Sequence, residues 1–198
     1  MKILHVIDSG GFFGAEVMLI NLAAAQLKMG LEPAIASVGD PGIGEKAIEI
    51  EARNRQVPVQ VFRMRPGPNL VGACRLLNFC RDGKFDLIHS HGYKGNILLG
   101  PLPGRFKKIP MLSTLHGWIT TAASGFTRLR AYEWLDALVL SRFIDRIVLV
   151  NRGMLENPRI ARLSQRKIFV VDMVLMQTLL SGICLLSRTS LIFAVTAS

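Results

Sequence analysis

Cysteine is scarce, with 3 in 198 residues, at Cys74, Cys80 and Cys184. That excludes a disulfide-stapled secreted scaffold and suits a reducing, cytoplasmic compartment. Cys74 and Cys80 are also spaced wrongly for a metal knuckle and read as packing residues. Acidic residues are few: Asp+Glu 14 stand against Lys+Arg 24, a net charge of +10. Charged residues together make up only 19% and hydrophobic residues 50%, which excludes a disordered chain. Aromatics amount to 7% and form no platform beside the basic residues, so nucleic acid is not an expected partner. Neither G-K-[ST] nor G-x-S-x-G occurs. The chain therefore has no nucleoside-triphosphatase loop and no serine nucleophile elbow. The opening, Met1-Lys2 running into a short apolar segment that ends at Asp8, does not have the pattern of a signal peptide.

What is present alternates. Lys2 to Ile7, Pro33 to Val38, Val57 to Met64, Phe85 to Ser90, Met111 to Leu115, Arg146 to Val150 and Lys167 to Val171 read as strands. Between them, Ala15 to Met29, Ile43 to Asn54, Asn69 to Arg81 with Asn69 as cap, Gly92 to Leu99 and Arg128 to Leu140 read as helices. Gly153 to Arg162 is weakly helical and interrupted by Pro158. Such alternation predicts an α/β fold: one doubly wound, mostly parallel sheet over residues 1–171, with helices on both faces. Ligands of such sheets bind beyond the carboxyl ends of the strands.

The tail is different. From Met173 to Ser198 the only charge is Arg188. A membrane anchor after the preceding basic cluster is one reading. Against it, an arginine in mid-span costs about 2.5–3.5 kcal/mol. Residues 172–198 are expected to lie outside the fold. The basic clusters at Arg105, Lys107, Lys108 and at Arg159, Arg162, Arg166, Lys167 leave room for peripheral contact with an anionic membrane face, or for a phosphorylated ligand.

Ser9 to Gly14 lies between a strand and a helix, where glycines let backbone N–H groups approach an anion. The dinucleotide fingerprint is met only in part: Gly11 and Gly14 fit, and Ser9 stands where the first glycine belongs. Asp40 lies too far past Gly14 for the usual ribose carboxylate, so an NAD(P) oxidoreductase stays a lesser alternative. His89, His91 and His116 fall at strand ends, and His89 and His91 share a face. A three-histidine zinc site competes there with hydrogen bonding to sugar hydroxyls or phosphates. Nothing nearby completes a metal set, so no metal is expected. His5, inside the first strand, reads as a core histidine. Glu133 and Asp136, three apart on a helix, read as a solvated face or a structural ion pair.

The segments KILHVIDSGGFFGAE, FDLIHSHGYKGN, STLHGW, DRIVLVNRGM and KIFVV, in this order, resemble the N-terminal domain of retaining glycosyltransferases of family 4, which have the type-B two-Rossmann fold. The resemblance covers about residues 1–171. It implies the acceptor-binding half of an enzyme that moves a hexosyl group from a nucleotide-sugar to a glycan or lipid-linked acceptor, as in polysaccharide assembly. The nucleotide-sugar is then a co-substrate, and no cofactor is implied. Gly10, Gly11 and Gly14 fall on the family's diphosphate-facing loop. His116 matches its histidine near the acceptor and transferred sugar, with Gly117 beside it, and His91 and Lys94 lie on a neighbouring strand-end loop. In the family the last of these strands leads through an Asn-Gly turn into a donor-binding second domain. Here Val171-Asp172 runs instead into the apolar tail, as a truncated or frameshifted reading frame would. The expectation is a chain inactive alone. It would act with a separately encoded second half or persist as a non-catalytic sugar- or phosphate-binding remnant.

Overall fold

A computed structural model describes residues 1–65, 69–102, 109–117 and 128–171. Residues 118–127, those from 172 on and the cluster Arg105, Lys107, Lys108 lie outside the described residues. The strands are β1 (Lys2–Ile7), β2 (Glu32–Gly39), β3 (Val59–Arg63), β4 (Leu87–His91), β5 (Met111–Leu115), β6 (Arg146–Leu149) and β7 (Ile168–Val170). They form one seven-stranded sheet in the order β3-β2-β1-β4-β5-β6-β7, and every pairing is parallel. The order reverses between β1 and β4, the topological switch point where such sheets open a crevice.

Among the described residues six α-helices connect them: α1 (Gly14–Lys28), α2 (Ala47–Asn54), α3 (Leu70–Asp82), α4 (Tyr93–Leu99), α5 (Arg128–Arg142) and α6 (Pro158–Ala161). The two faces of the sheet follow the alternation of the strand residues. Ile7 and Ile35 pack against Leu19, Ile20 and Ala23 of α1 and Ile48 and Ala52 of α2. Leu4, Val6, Ala36 and Ile88 point the other way, against Leu76 of α3, Leu99 of α4 and Leu140 of α5. Asn69 caps α3, its side chain accepting from the Gly72 N–H at 2.8 Å.

Most bounds shift by one or two residues, and two segments depart further from the sequence reading. α2 starts at Ala47, four residues later than Ile43. Gly42 takes a φ of +87°, and the Ile43 and Gly44 carbonyls accept from Arg63 at 3.1 and 2.8 Å, so 43–46 is held as a loop. The segment 153–162 splits into a 3-10 turn, Arg152–Glu156, and α6. Pro158 opens α6, where its missing N–H costs nothing, and Asn157 caps it by accepting from Arg159 N–H at 2.9 Å.

Candidate functional site

β1, β4 and β5 end beside one another, and a cavity of about 210 Å³ opens over their carboxyl ends. Ile7 and Asp8 end β1, His91 and Gly92 end β4, and Leu115, His116 and Gly117 end β5. Tyr93 of α4 and Tyr132 of α5 flank the opening, their rings 6.0 Å apart. Gly92 is required by the backbone: its φ of +103° lies where side chains are strained. It turns the chain from β4 straight into α4. Gly95 then lets α4 press onto the Ser90 side chain below it.

The histidines assemble more tightly than their spacing shows. Register places His5 opposite His89 and Ile7 opposite His91. All three histidines lie on the face that carries α1. His5 Nε2 meets Gln26 Oε1 of α1 at 2.8 Å, and His5 Nδ1 meets His91 Nε2 at 3.0 Å. His91 Nδ1 meets His116 Nε2 at 3.0 Å. His89 branches off, its Nε2 2.7 Å from Thr114 Oγ1 and its ring centroid 4.1 Å from that of His91. The result is a continuous chain, Gln26–His5–His91–His116, from the core to the cavity. Burial disfavours the imidazolium throughout. It pushes His5 and His116 down to about 4 and holds His89 and His91 well below the ordinary range, with neighbouring histidines adding to the effect on the last two. The chain is neutral at physiological pH.

His5, read as a core histidine, is fully buried as that reading expected, and is in addition a link in this chain. The zinc alternative also moves. The ring nitrogens that converge within 4.8 Å belong to His5, His89 and His91, not to the set containing His116. Between His5 and His91 those nitrogens already share a hydrogen bond.

Carboxylates line the rest of the wall. Asp8 is held by two lysines: buried Lys46 at 2.8 Å, and Lys94 on its other oxygen. Burial alone would lower the Lys94 pKa, but the hydrogen bond and charge of Asp8 outweigh it and raise it. Glu133 pairs with Arg159 at 2.6 Å, as the ion-pair reading expected. Asp136 departs from the solvated-face reading. It is 4% exposed, accepts from Asn96 Nδ2 at 2.9 Å, and burial lifts its pKa to about 6 despite that bond. An i, i+3 pair on a helix gives no sign of this, because the cover comes from α4, forty residues away in sequence. Glu16, 6% exposed in the first turn of α1, completes the wall.

Of the residues singled out in the sequence, His91, His116 and Gly117 line the cavity, and Lys94 joins it through Asp8. Gly10, Gly11 and Gly14 lie on the turn into α1, but the cavity is bordered there by Ala15 and Glu16. The turn satisfies part of itself. Phe13 N–H donates to Glu16 Oε2 at 2.9 Å, and Ser9 Oγ donates to the Gly11 carbonyl. Gly10 and Gly14 have open space where a side chain would begin, whereas Gly11 faces the Phe13 ring. Arg159 and Lys167 of the second basic cluster serve the fold. Lys167 Nζ donates to the Ser141 and Ile144 carbonyls, at 3.1 and 2.9 Å, near the end of α5.

No curated protein sequence matches the chain. Solved structures do. Anabaena Alr3699/HepE in complex with UDP-glucose superposes with a TM-score of 0.68 at 18% identity, over 87% of this chain and 43% of that one. A glycosyltransferase from Rickettsia africae ESF-5 gives 0.59 at 16%, over 86% and 42%. UDP-GlcNAc 2-epimerase from Neisseria meningitidis bound to UDP-GlcNAc gives 0.55 at 14%, over 86% and 46%. The chain spans less than half the length of each, which corresponds to one Rossmann-like half of a two-domain fold. At these identities the likeness fixes the fold alone. Among the described residues no helix is long and apolar enough to cross a membrane. The family is fixed by the sequence itself: the model for Glycosyltransferase Family 4 matches residues 13–172, taking in every strand of the sheet after β1, and the chain belongs to that family.

Proposed function

We propose that this chain is the acceptor-binding half of a hexosyltransferase, taking sugar from a nucleotide-sugar donor to a glycan or lipid-linked acceptor. The observation that carries the reading is the cavity at the β1/β4 switch point, with His91 and His116 on its wall, in a Family 4 domain. His116 is the residue placed at the reacting sugar, and His91, Lys94 and Gly117 belong to the acceptor side. Gly10, Gly11 and Gly14 face the diphosphate of a donor held by a second domain. That donor domain is supplied by another chain or another part of the protein. Support for a nucleotide-sugar comes from the structural neighbours, of which HepE was solved with UDP-glucose and the Neisseria epimerase with UDP-GlcNAc.

Orientation of two reactants across a cleft is worth about 7–11 kcal/mol of barrier. A chain that supplies one wall should forfeit most of it. The purified chain alone is expected to give no sustained sugar transfer, and activity should appear on adding the complementary domain. Multi-turnover transfer by the chain alone would refute the need for a second half. Chemical-shift mapping with UDP tests the donor side. Shifts confined to the Arg159–Lys167 cluster, with none at Gly10 to Gly14, would point to nonspecific anion binding instead.

A further inference from the structure

Most polar atoms around the cavity are satisfied, and the ones that are not share one character. His116 Nδ1 and Glu133 Oε1 are buried and without a hydrogen-bond partner among the described residues. Both residues line the cavity, together with the carboxylates of Asp8, Glu16 and Asp136. Glu133 Oε1 is an acceptor by chemistry. Whether His116 Nδ1 accepts or donates depends on its tautomer, and the tautomer is decided far away.

A neutral imidazole carries one hydrogen, so each ring in the chain passes polarity to the next. Gln26 presents Oε1 to His5, so His5 Nε2 carries the hydrogen and His5 Nδ1 is bare. A bare His5 Nδ1 accepts from His91 Nε2, which leaves His91 Nδ1 bare. That nitrogen in turn accepts from His116 Nε2, which leaves His116 Nδ1 bare. The opposite polarity would bury an N–H at His116 with nothing to receive it among the described residues, the rarer and costlier kind of orphan.

We propose that Gln26, through His5 and His91, positions His116 as a hydrogen-bond acceptor, and that the cavity therefore takes a ligand face rich in donors, the hydroxyls or ammonium of a non-anionic sugar, and rejects carboxylate- or phosphate-bearing groups at this point. The ligand half of this assignment rests on the acceptor-site reading above; the tautomer half does not. An anion would meet Glu16, Glu133 and Asp136 across a wall with no free donor at His116. A hydroxyl finds bare acceptors. Gln26 touches no ligand and acts as a positioning residue. It is 7% exposed on α1, and among the described residues its link to His116 runs through two rings, His5 and His91.

The test uses the full chain. Long-range imidazole 15N spectra distinguish hydrogen-bearing from bare ring nitrogens without any ligand. Nδ1 should be bare and Nε2 hydrogen-bearing at His5, His91 and His116. Gln26→Glu, which when ionised can only accept, should keep the pattern at pH 8. Gln26→Met, close in volume, should let the tautomers mix. Methyl α-glucopyranoside and glucosamine should move His116 Nδ1, whereas glucuronate should not. Gln26→Met should weaken methyl glucoside roughly tenfold, the loss of about one buried hydrogen bond, and Gln26→Glu should restore it. Reversed tautomers in the wild type would overturn the proposal, as would glucuronate binding as well as the glucoside. Stoichiometric zinc uptake that shifts His5, His89 and His91 together would also overturn it, since those nitrogens would then be ligands and not links. The expected tautomers with no response to any sugar or to UDP would instead sink the transferase reading and, with it, the ligand assignment.

Discussion

Two regions meet at this site, the glycine turn and the histidine chain, and they are built in opposite ways. The turn after β1, Ser9 to Gly14, is local. Its glycines, Gly10, Gly11 and Gly14, lie close together in sequence, and its hydrogen bonds span two or three residues, from Ser9 to Gly11 and from Phe13 to Glu16. The histidine chain is non-local. It draws on α1, β1, β4 and β5, and its links join residues 21, 86 and 25 positions apart. The local turn is easy to see in a sequence and lightly anchored in the structure. The chain is nearly invisible in sequence and buried from Gln26 to His91, with His116 partly buried at the cavity. A perturbation should therefore reach far through the histidines and stay small at the glycines.

The largest effect should come from acid. His5 and His116 have pKa values near 4 in the folded chain, below the ordinary 6.5, and His89 and His91 lie well below that value too. Between pH 6.5 and 4 the unfolded chain binds protons that the folded chain refuses, so stability falls as pH falls. Each fully buried histidine contributes up to about 1.4 kcal/mol per pH unit in that window, with His116, the least buried of them, giving less. Asp136 works against this. Its pKa, raised to about 6, means the folded chain takes up a proton before the unfolded one does. That single group offsets part of a four-histidine effect. Urea unfolding at a series of pH values should show a stability loss of several kcal/mol by pH 4.5. A flat profile would mean that the rings are solvated and the chain is not what joins these strands.

Gly92→Ala should come next. It forces a side chain onto a φ of +103° and should cost about 1–3 kcal/mol. Asp136→Asn has the opposite sign. At pH 8 the buried carboxylate is destabilising, and an amide keeps the shape without the charge. A gain of about 1–3 kcal/mol is expected, with weaker sugar binding, because an acceptor on the wall has become half donor. Thermal melts with sugar titrations on both variants check the pair.

The contrast also explains what could be read in advance. The fold was legible almost in full, because β-α alternation is carried by short apolar runs and breakers that each element holds within itself. The strand-end placement of His91 and His116 was legible for the same reason. The role of His5 was not. A histidine between Leu4 and Val6 looks like any core residue until register sets it opposite His89 and α1 brings Gln26 over it. Asp136 was missed in the same way, because its burial depends on Asn96 of another helix. The late start of α2 depends on Arg63, a residue of β3, holding the loop before it.

The smallest structural effect is expected at the glycine turn, and it sharpens the comparison most. Nothing lies within 4 Å of the position a Gly10 side chain would take, and its φ is not positive. Gly10→Ala should leave stability within about 0.5 kcal/mol, or raise it slightly by restricting the unfolded chain. Gly11→Ala displaces only the Phe13 ring, which is 72% exposed and free to swing aside, so it too should be mild. A turn kept glycine-rich for folding would show a loss here. A turn kept open for a ligand would show none, and its cost would appear elsewhere: UDP binding should weaken several-fold in Gly10→Ala, because a methyl group stands between the backbone N–H groups and a phosphate. Calorimetric melting beside a UDP titration separates the two. Unchanged melting with unchanged UDP binding would remove these glycines from the site and leave the histidines and carboxylates to carry it.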